Sequence, residues 1–293
     1  MDSTPVSASL AAALAAASFL LPPLLDGVER KIRAAIHSRI GPPLTQTWFD
    51  ILKLWSKEAK LPRGAELAGL TVLIGLSIAL ALAATLSTFA AFGLVGVGPV
   101  VAVMVMVFAL HSISMATGCA SSNPFATIGS FRRVFLNVVN EVGLALSVAL
   151  ALVSRWFIPS WKGWALLGIS TGMMLVACFC ASGRLPYDIH EAEPELASGT
   201  VIELSGPLLA AELYSHLIER WVLAALPFYV SLAPFLPSAW ARCLALVLGS
   251  SGLWTLFAVT SATLGRSRAD LALRSLGAIY TASTIAWVGV WLA

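Results

Sequence analysis

Charge is what this sequence of 293 residues has least of. It carries 18 Lys and Arg against 15 Asp and Glu, 11% of the chain, where a soluble domain has about 25%. Hydrophobic residues reach 58% without counting glycine, and the mean hydropathy is +0.87. Too little polar surface exists to cover a water-soluble globule of this size, which excludes a soluble one- or two-domain enzyme. Cysteine is also scarce: Cys119, Cys178, Cys180 and Cys243, with no C-x-x-C pair. Zinc, iron–sulfur and nickel–iron centres draw on several thiolates, usually from such pairs, so no metal or redox centre is expected in this chain. The four cysteines read as small buried apolar residues. The four histidines lack H-x-x-x-H spacing. The N-terminus, Met1-Asp2-Ser3-Thr4-Pro5, lacks a basic n-region, so the apolar run behind it reads as a retained span rather than a signal peptide. Repeats, low-complexity tails and a soluble domain are absent, and the apolar runs do not alternate as a strand barrel requires.

What is present is a series of runs of about 20 apolar residues, each long enough to cross a bilayer. They lie at about 6–25, 66–91, 99–117, 134–157, 163–183, 207–233, 239–263 and 272–292. The expected fold is an all-α polytopic membrane protein forming one transmembrane domain over 1–293, with about eight transmembrane helices. Fourteen basic residues fall in the loops after the first, third, fifth and seventh runs, and three (Arg155, Lys162, Arg242) on the other side. That bias places the basic loops in the cytoplasm and both termini outside. The net charge of +3 therefore reflects topology and gives no reason to expect nucleic acid.

Within the first basic loop, 26–64, the apolar residues Trp48, Ile51, Leu52 and Trp55 recur at helical spacing, with Asp50, Lys53 and Lys57 opposite. This predicts a cytoplasmic amphipathic helix, lying on the membrane surface or meeting a partner protein. Charges inside the runs are the costly ones, about 2.5–3.5 kcal/mol for a central carboxylate. Glu141 lies early in the fourth run. Glu212, His216 and Glu219 share one face of the sixth, beside Arg220. Such a stripe is read as a protonatable, water-lined path, with a structural ion pair as the plainer alternative. His111, alone in the third run, is read as a satisfied core residue. Between the fifth and sixth runs the loop 184–206 holds five carboxylates within 16 residues: Asp188, Glu191, Glu193, Glu195 and Glu203. Clustered carboxylates resist joint ionisation and can exchange protons. The same cluster could bind a cation or be a solvated surface.

The loop from Arg184 through Gly206 (R-L-P-Y-D-x-x-E-A-E-x-E-L-x-x-G-x-x-x-E-x-S-G) resembles the motif R-x-P-F-D-x-x-E-A-E-x-E-L-x-x-G-x-x-x-E-Y-S-G. That motif belongs to the membrane heel subunit shared by respiratory complex I (NADH dehydrogenase subunit 1) and group 4 energy-converting nickel–iron hydrogenases, including formate hydrogenlyase. Glu29-Arg30-Lys31, Arg39-Ile40-Gly41-Pro42, Asp50 to Leu54 with Lys57-Glu58, Ser122-Asn123 to Arg132, Glu141-Val142, Ala211-Glu212 and Arg266 to Arg274 resemble further family blocks in order. His37-Ser38-Arg39 and Asn123-Pro124-Phe125 look more like the hydrogenase branch. Leu204 and Asn140 stand where family tyrosines are common.

The resemblance implies a membrane-anchor and coupling subunit of an oxidoreductase complex in the cytoplasmic membrane of a prokaryote. It would dock cluster-bearing large and small hydrogenase subunits and relay protons toward antiporter-like membrane subunits. On that reading Asp188, Glu191, Glu193, Glu195 and Glu203 form a loop funnel, and Glu141 and Glu212 an intramembrane relay, which His216 and Glu219 join from helical spacing alone. Glu29, Arg30, Arg39, Lys53, Lys57, Arg132 and Arg184 would face partners. Nickel–iron and iron–sulfur centres would sit in those partners, and quinone in the complex I branch. The alternatives are a quinone-chamber subunit of a proton-pumping NADH:quinone oxidoreductase and a stand-alone ion transporter. The long basic loop, more docking surface than a transporter needs, argues against the last.

Overall fold

A computed structural model describes residues 4–62, 64–188 and 199–293. Among these, nine α-helices and no strand are found: α1 (Thr4–Ile36), α2 (Gln46–Trp55), α3 (Glu66–Phe92), α4 (Val97–Cys119), α5 (Pro124–Ser154), α6 (Trp161–Ala181), α7 (Gly206–Ser231), α8 (Ala239–Thr263) and α9 (Ala269–Leu292). Seven of them are long and apolar enough to cross a membrane. The eighth expected span, α7, matches them in length but carries Glu212, Glu219 and Arg220. It packs against α1, α2, α3, α6 and α8, and most of its residues are buried. The long helix with charges in its middle thus sits where protein surrounds it, as a polar membrane helix must.

Two helices run further than their apolar composition indicates. α1 continues through Pro22 and Pro23 to Ile36. A proline removes the hydrogen bond to the carbonyl four residues back. The carbonyl of Phe19, freed by Pro23, accepts instead from the Tyr214 hydroxyl of α7 at 2.9 Å, a partner of the kind that lets a membrane helix run past a proline. The extension carries Asp26, Glu29, Arg30 and Arg33 in helical register. α5 begins at Pro124, behind the cap of Asn123, whose side chain accepts from the Phe125 amide at 2.9 Å. Arg132 and Arg133 therefore lie on a helix, not in a loop.

The amphipathic helix α2 spans ten residues. Ile51 is buried and Trp48 stacks at 6.1 Å on Tyr214. Phe49, Leu52 and Trp55 stay more than half exposed, so an apolar face points away from the bundle. On the opposite rim, Arg155 donates to the carbonyls of Val95 and Val230, and Arg242 to those of Ala90, Ala91 and Leu236. Both act as caps on chain ends. Cys178, Cys180 and Cys243 are buried as expected; Cys119, at the end of α4, is exposed, which corrects the reading of all four as buried.

Candidate functional site

Three helices of the bundle bring a line of acids and imidazoles together. Glu141 on α5 accepts from His111 Nδ1 on α4 at 3.1 Å. The other nitrogen of that ring, Nε2, stands 2.8 Å from Glu219 Oε1 on α7. Glu219 Oε2 accepts from His216 Nδ1 at 3.0 Å, and His216 Nε2 stands 3.2 Å from Glu212 Oε1. Ser114 on α4 then reaches Glu212 at 3.5 Å, and Arg133 on α5 donates to the Ser114 hydroxyl at 2.6 Å. The path leaves α5 at Glu141, crosses α4 and α7, and returns to α5. The two Nδ1 contacts are aligned hydrogen bonds, whereas the two Nε2 contacts are close approaches without that alignment. Glu219 and Glu212 are almost wholly enclosed, and Glu141, with 23% of its side chain accessible, is the open end.

The α7 half of this line follows from helix geometry, since positions four and three apart share a face. His111 is buried and hydrogen-bonded, as a satisfied core residue is expected to be, and its partners are the new finding. Read from sequence as a lone core histidine, it is the link between Glu141 and Glu219, and both of its nitrogens face carboxylates. Its signal was an imidazole in an otherwise apolar run. Its partners lie on two other helices, so no local pattern announces them.

A cavity of about 190 Å³ opens beside the line, with Arg133, His216, Glu219 and Arg220 in its inner wall and Asp26, Arg30 and Asp50 toward the loops. Arg30 bridges α1 and α2 by pairing with Asp26 at 2.9 Å and Asp50 at 3.2 Å. Arg220 donates to the Ser182 carbonyl at 3.0 Å.

The interface residues divide. Arg30, Arg39, Lys53 and Lys57 are exposed and Arg132 is half-buried. Glu29 and Arg184 are each only 3% exposed, so neither presents a docking surface. Arg184 holds both Glu29 oxygens, at 2.7 and 3.3 Å, and lies 4.7 Å over the Trp254 ring. Burial pulls the Arg184 guanidinium below its ordinary value, and the Glu29 carboxylate works against that. Of the loop acids, Asp188 pairs with Arg266 at 3.0 Å and Glu203 accepts from Asn123. Neither touches the buried line. Glu191, Glu193 and Glu195 lie outside the described residues. Among the described residues, no three His, Cys, Asp or Glu side chains converge as a metal ion needs.

Fold and site together define a multi-span membrane protein with a polar line through its core. The family model for NADH dehydrogenase matches residues 8–292, and the chain belongs to that family. It is 28% identical to hydrogenase-4 component C of Escherichia coli (strain K12) over 93% of this chain and 92% of that one. It is 30% identical to formate hydrogenlyase subunit 4 of the same organism, over 64% of this chain and 66% of that one. It is also 28% identical to NADH-quinone oxidoreductase subunit 8 of Rhodothermus marinus, over 75% of this chain and 73% of that one. The fold superposes with a TM-score of 0.73 and 19% identity on a chain of the membrane-bound sulfane sulfur reductase, an archaeal respiratory membrane complex, covering 96% of this chain and 99% of that one.

Proposed function

We propose that this chain is the membrane-anchor and coupling subunit of a complex I-like, energy-converting nickel–iron hydrogenase of the formate hydrogenlyase type. It docks the cluster-bearing subunits on its basic rim and passes protons toward antiporter-like membrane neighbours. The observation that carries this reading is the line Glu141–His111–Glu219–His216–Glu212, a run of protonatable groups in near contact through apolar helices. Similarity over most of the chain to hydrogenase-4 component C supports the hydrogenase branch. So does the cavity, whose walls are crowded with Asp26, Arg30, Asp50 and Arg220. Such a lining suits water, which shuttles protons and needs several polar partners, better than a quinone ring and its apolar tail.

The exposed Arg39, Lys53 and Lys57, with the apolar face of α2, supply the surface a peripheral subunit would meet. The terminal electron acceptor would then be the proton at the partner's nickel–iron centre.

The test is Glu141→Gln and Glu212→Gln in the assembled complex. Each keeps shape and removes titration. The complex should assemble, while the transmembrane pH gradient formed per electron transferred is lost or sharply reduced, because an amide cannot take up and pass on a proton as a carboxylate does. An unchanged gradient sinks the relay. Loss of assembly moves the residues to a structural ion-pair role. Mass spectrometry of the same preparation checks the branch: nickel and cluster-bearing partners are expected, and flavin- and NADH-binding partners without nickel would replace this reading with complex I.

A further inference from the structure

The buried line has a charge balance that its geometry constrains. Each imidazole stands between two carboxylates, with all four N···O separations between 2.8 and 3.2 Å. A neutral imidazole has one N–H, so its other nitrogen would turn a lone pair against a carboxylate oxygen. Each aligned Nδ1 contact holds a proton, and each Nε2 approach, which lacks that alignment, has room for one at most. Even with a proton in all four contacts, two imidazoles and three carboxylates keep one net negative charge, and with fewer protons they keep more. An uncompensated charge in this setting is expensive, so a cation must answer it.

The charged groups around the cavity narrow the choice. Arg30 from α1 is answered by Asp26 and by Asp50 of α2. Arg220 of α7 donates to the carbonyl of Ser182, the residue that ends α6, and its charge acts on Glu29 of α1. Arg133 of α5 is 5% exposed and donates to Ser114, the hydroxyl that contacts Glu212; it also lines the cavity with His216 and Glu219. A hydroxyl between them lets the guanidinium sit close without forming the direct pair that would pin Glu212 in its charged state.

We infer that Arg133 is a positioning residue for the relay: the counter-charge of the Glu141–His111–Glu219–His216–Glu212 line, acting through Ser114, that sets how many protons the line holds and so the pH range in which it conducts. The inference rests on the relay proposed above. One proton entering at one end releases one at the other, so the count and the charge balance are restored after each transfer. Without Arg133 the line holds its protons more tightly, because the negative charge is unanswered.

The experiment is the pH dependence of gradient formation per electron transferred, in vesicles carrying the complete complex, for Arg133→Gln, Arg133→Lys and Ser114→Ala. Arg133→Gln should move the alkaline limb of the profile upward by about one pH unit or more, the usual effect of removing one nearby charge. Arg133→Lys should restore most of it. A packing role would predict lower assembly without a shifted limb. If Arg133→Gln does not assemble, Ser114→Ala is decisive, since it keeps the charge and cuts the link. A smaller upward shift supports the inference and an unmoved limb overturns it. His111→Gln, run alongside, separates the two levels. If His111→Gln abolishes the gradient while the Arg133 and Ser114 profiles stay put, the relay stands and the counter-charge falls. If His111→Gln leaves the gradient intact, both fall.

Discussion

Removing the Arg184 side chain would leave the Glu29 carboxylate buried with Arg33, at 3.1 Å and half exposed to solvent, and the charge of Arg220 to face it. The pair ties the extension of α1 to the chain just after α6, and the Trp254 ring ties it to α8. Breaking a buried pair by removing one partner costs about 3–5 kcal/mol. Arg184→Ala should therefore lower the melting temperature of the detergent-solubilised chain markedly. Arg184→Lys should recover part of the loss, since it keeps the charge but not the two-pronged geometry. An unchanged melting curve together with lost partner association would return Arg184 to the docking surface. Docking was what the family resemblance implied for this arginine. Nothing local distinguishes it from the exposed Arg39, because its partner Glu29 lies 155 residues away.

The elements followed composition closely, and their departures have physical causes. Apolar runs bounded by Gly, Pro and Arg marked the membrane helices within a few residues, as for α3 and α8. The first apolar run ends just after Pro22 and Pro23, and the Tyr214 hydroxyl, supplied by another helix, takes up the Phe19 carbonyl where α1 continues. The site divides the same way. Glu212, His216 and Glu219 were legible because one helix face holds them. His111 and Arg133 were not, because cross-helix contacts define their roles. Cross-helix contact also docks the last helix. α9 meets α5 where Tyr280 donates to Asn140 at 2.6 Å, with Trp287 to Ser154 at 3.0 Å further along. A Cβ on Gly143 would lie 2.2 Å from the Tyr280 ring. Gly143→Ala must push α9 outward and should cost about 1–3 kcal/mol, the usual penalty of overpacking. Thermal unfolding followed by tryptophan fluorescence should show it. A melting curve superposable on the unsubstituted protein's would mean that α9 is not held at this point.

Across the whole molecule, charge is sorted more sharply than a count of residues implies. Of the three basic residues on the rim opposite the basic loops, Arg155 and Arg242 donate to backbone carbonyls at chain ends. Lys162 is left as the basic side chain there whose role is not capping. The orientation signal acts through basic residues near span ends, and those committed to capping in the folded chain do not weaken the assignment of the Arg39, Lys53 and Lys57 rim to the cytoplasm. Cys119 gives a direct test, being exposed at the end of α4 on that rim while the other three cysteines are buried. A membrane-impermeant maleimide should label Cys119 in inverted vesicles and not in intact cells, with Cys119→Ala as the blank. Lys162→Cys in the Cys119→Ala background should show the reverse pattern. Labelling of Cys119 from outside, or of residue 162 from inside, would invert the topology. The basic rim and the cavity would then face away from the cytoplasm, where no peripheral subunit could reach them.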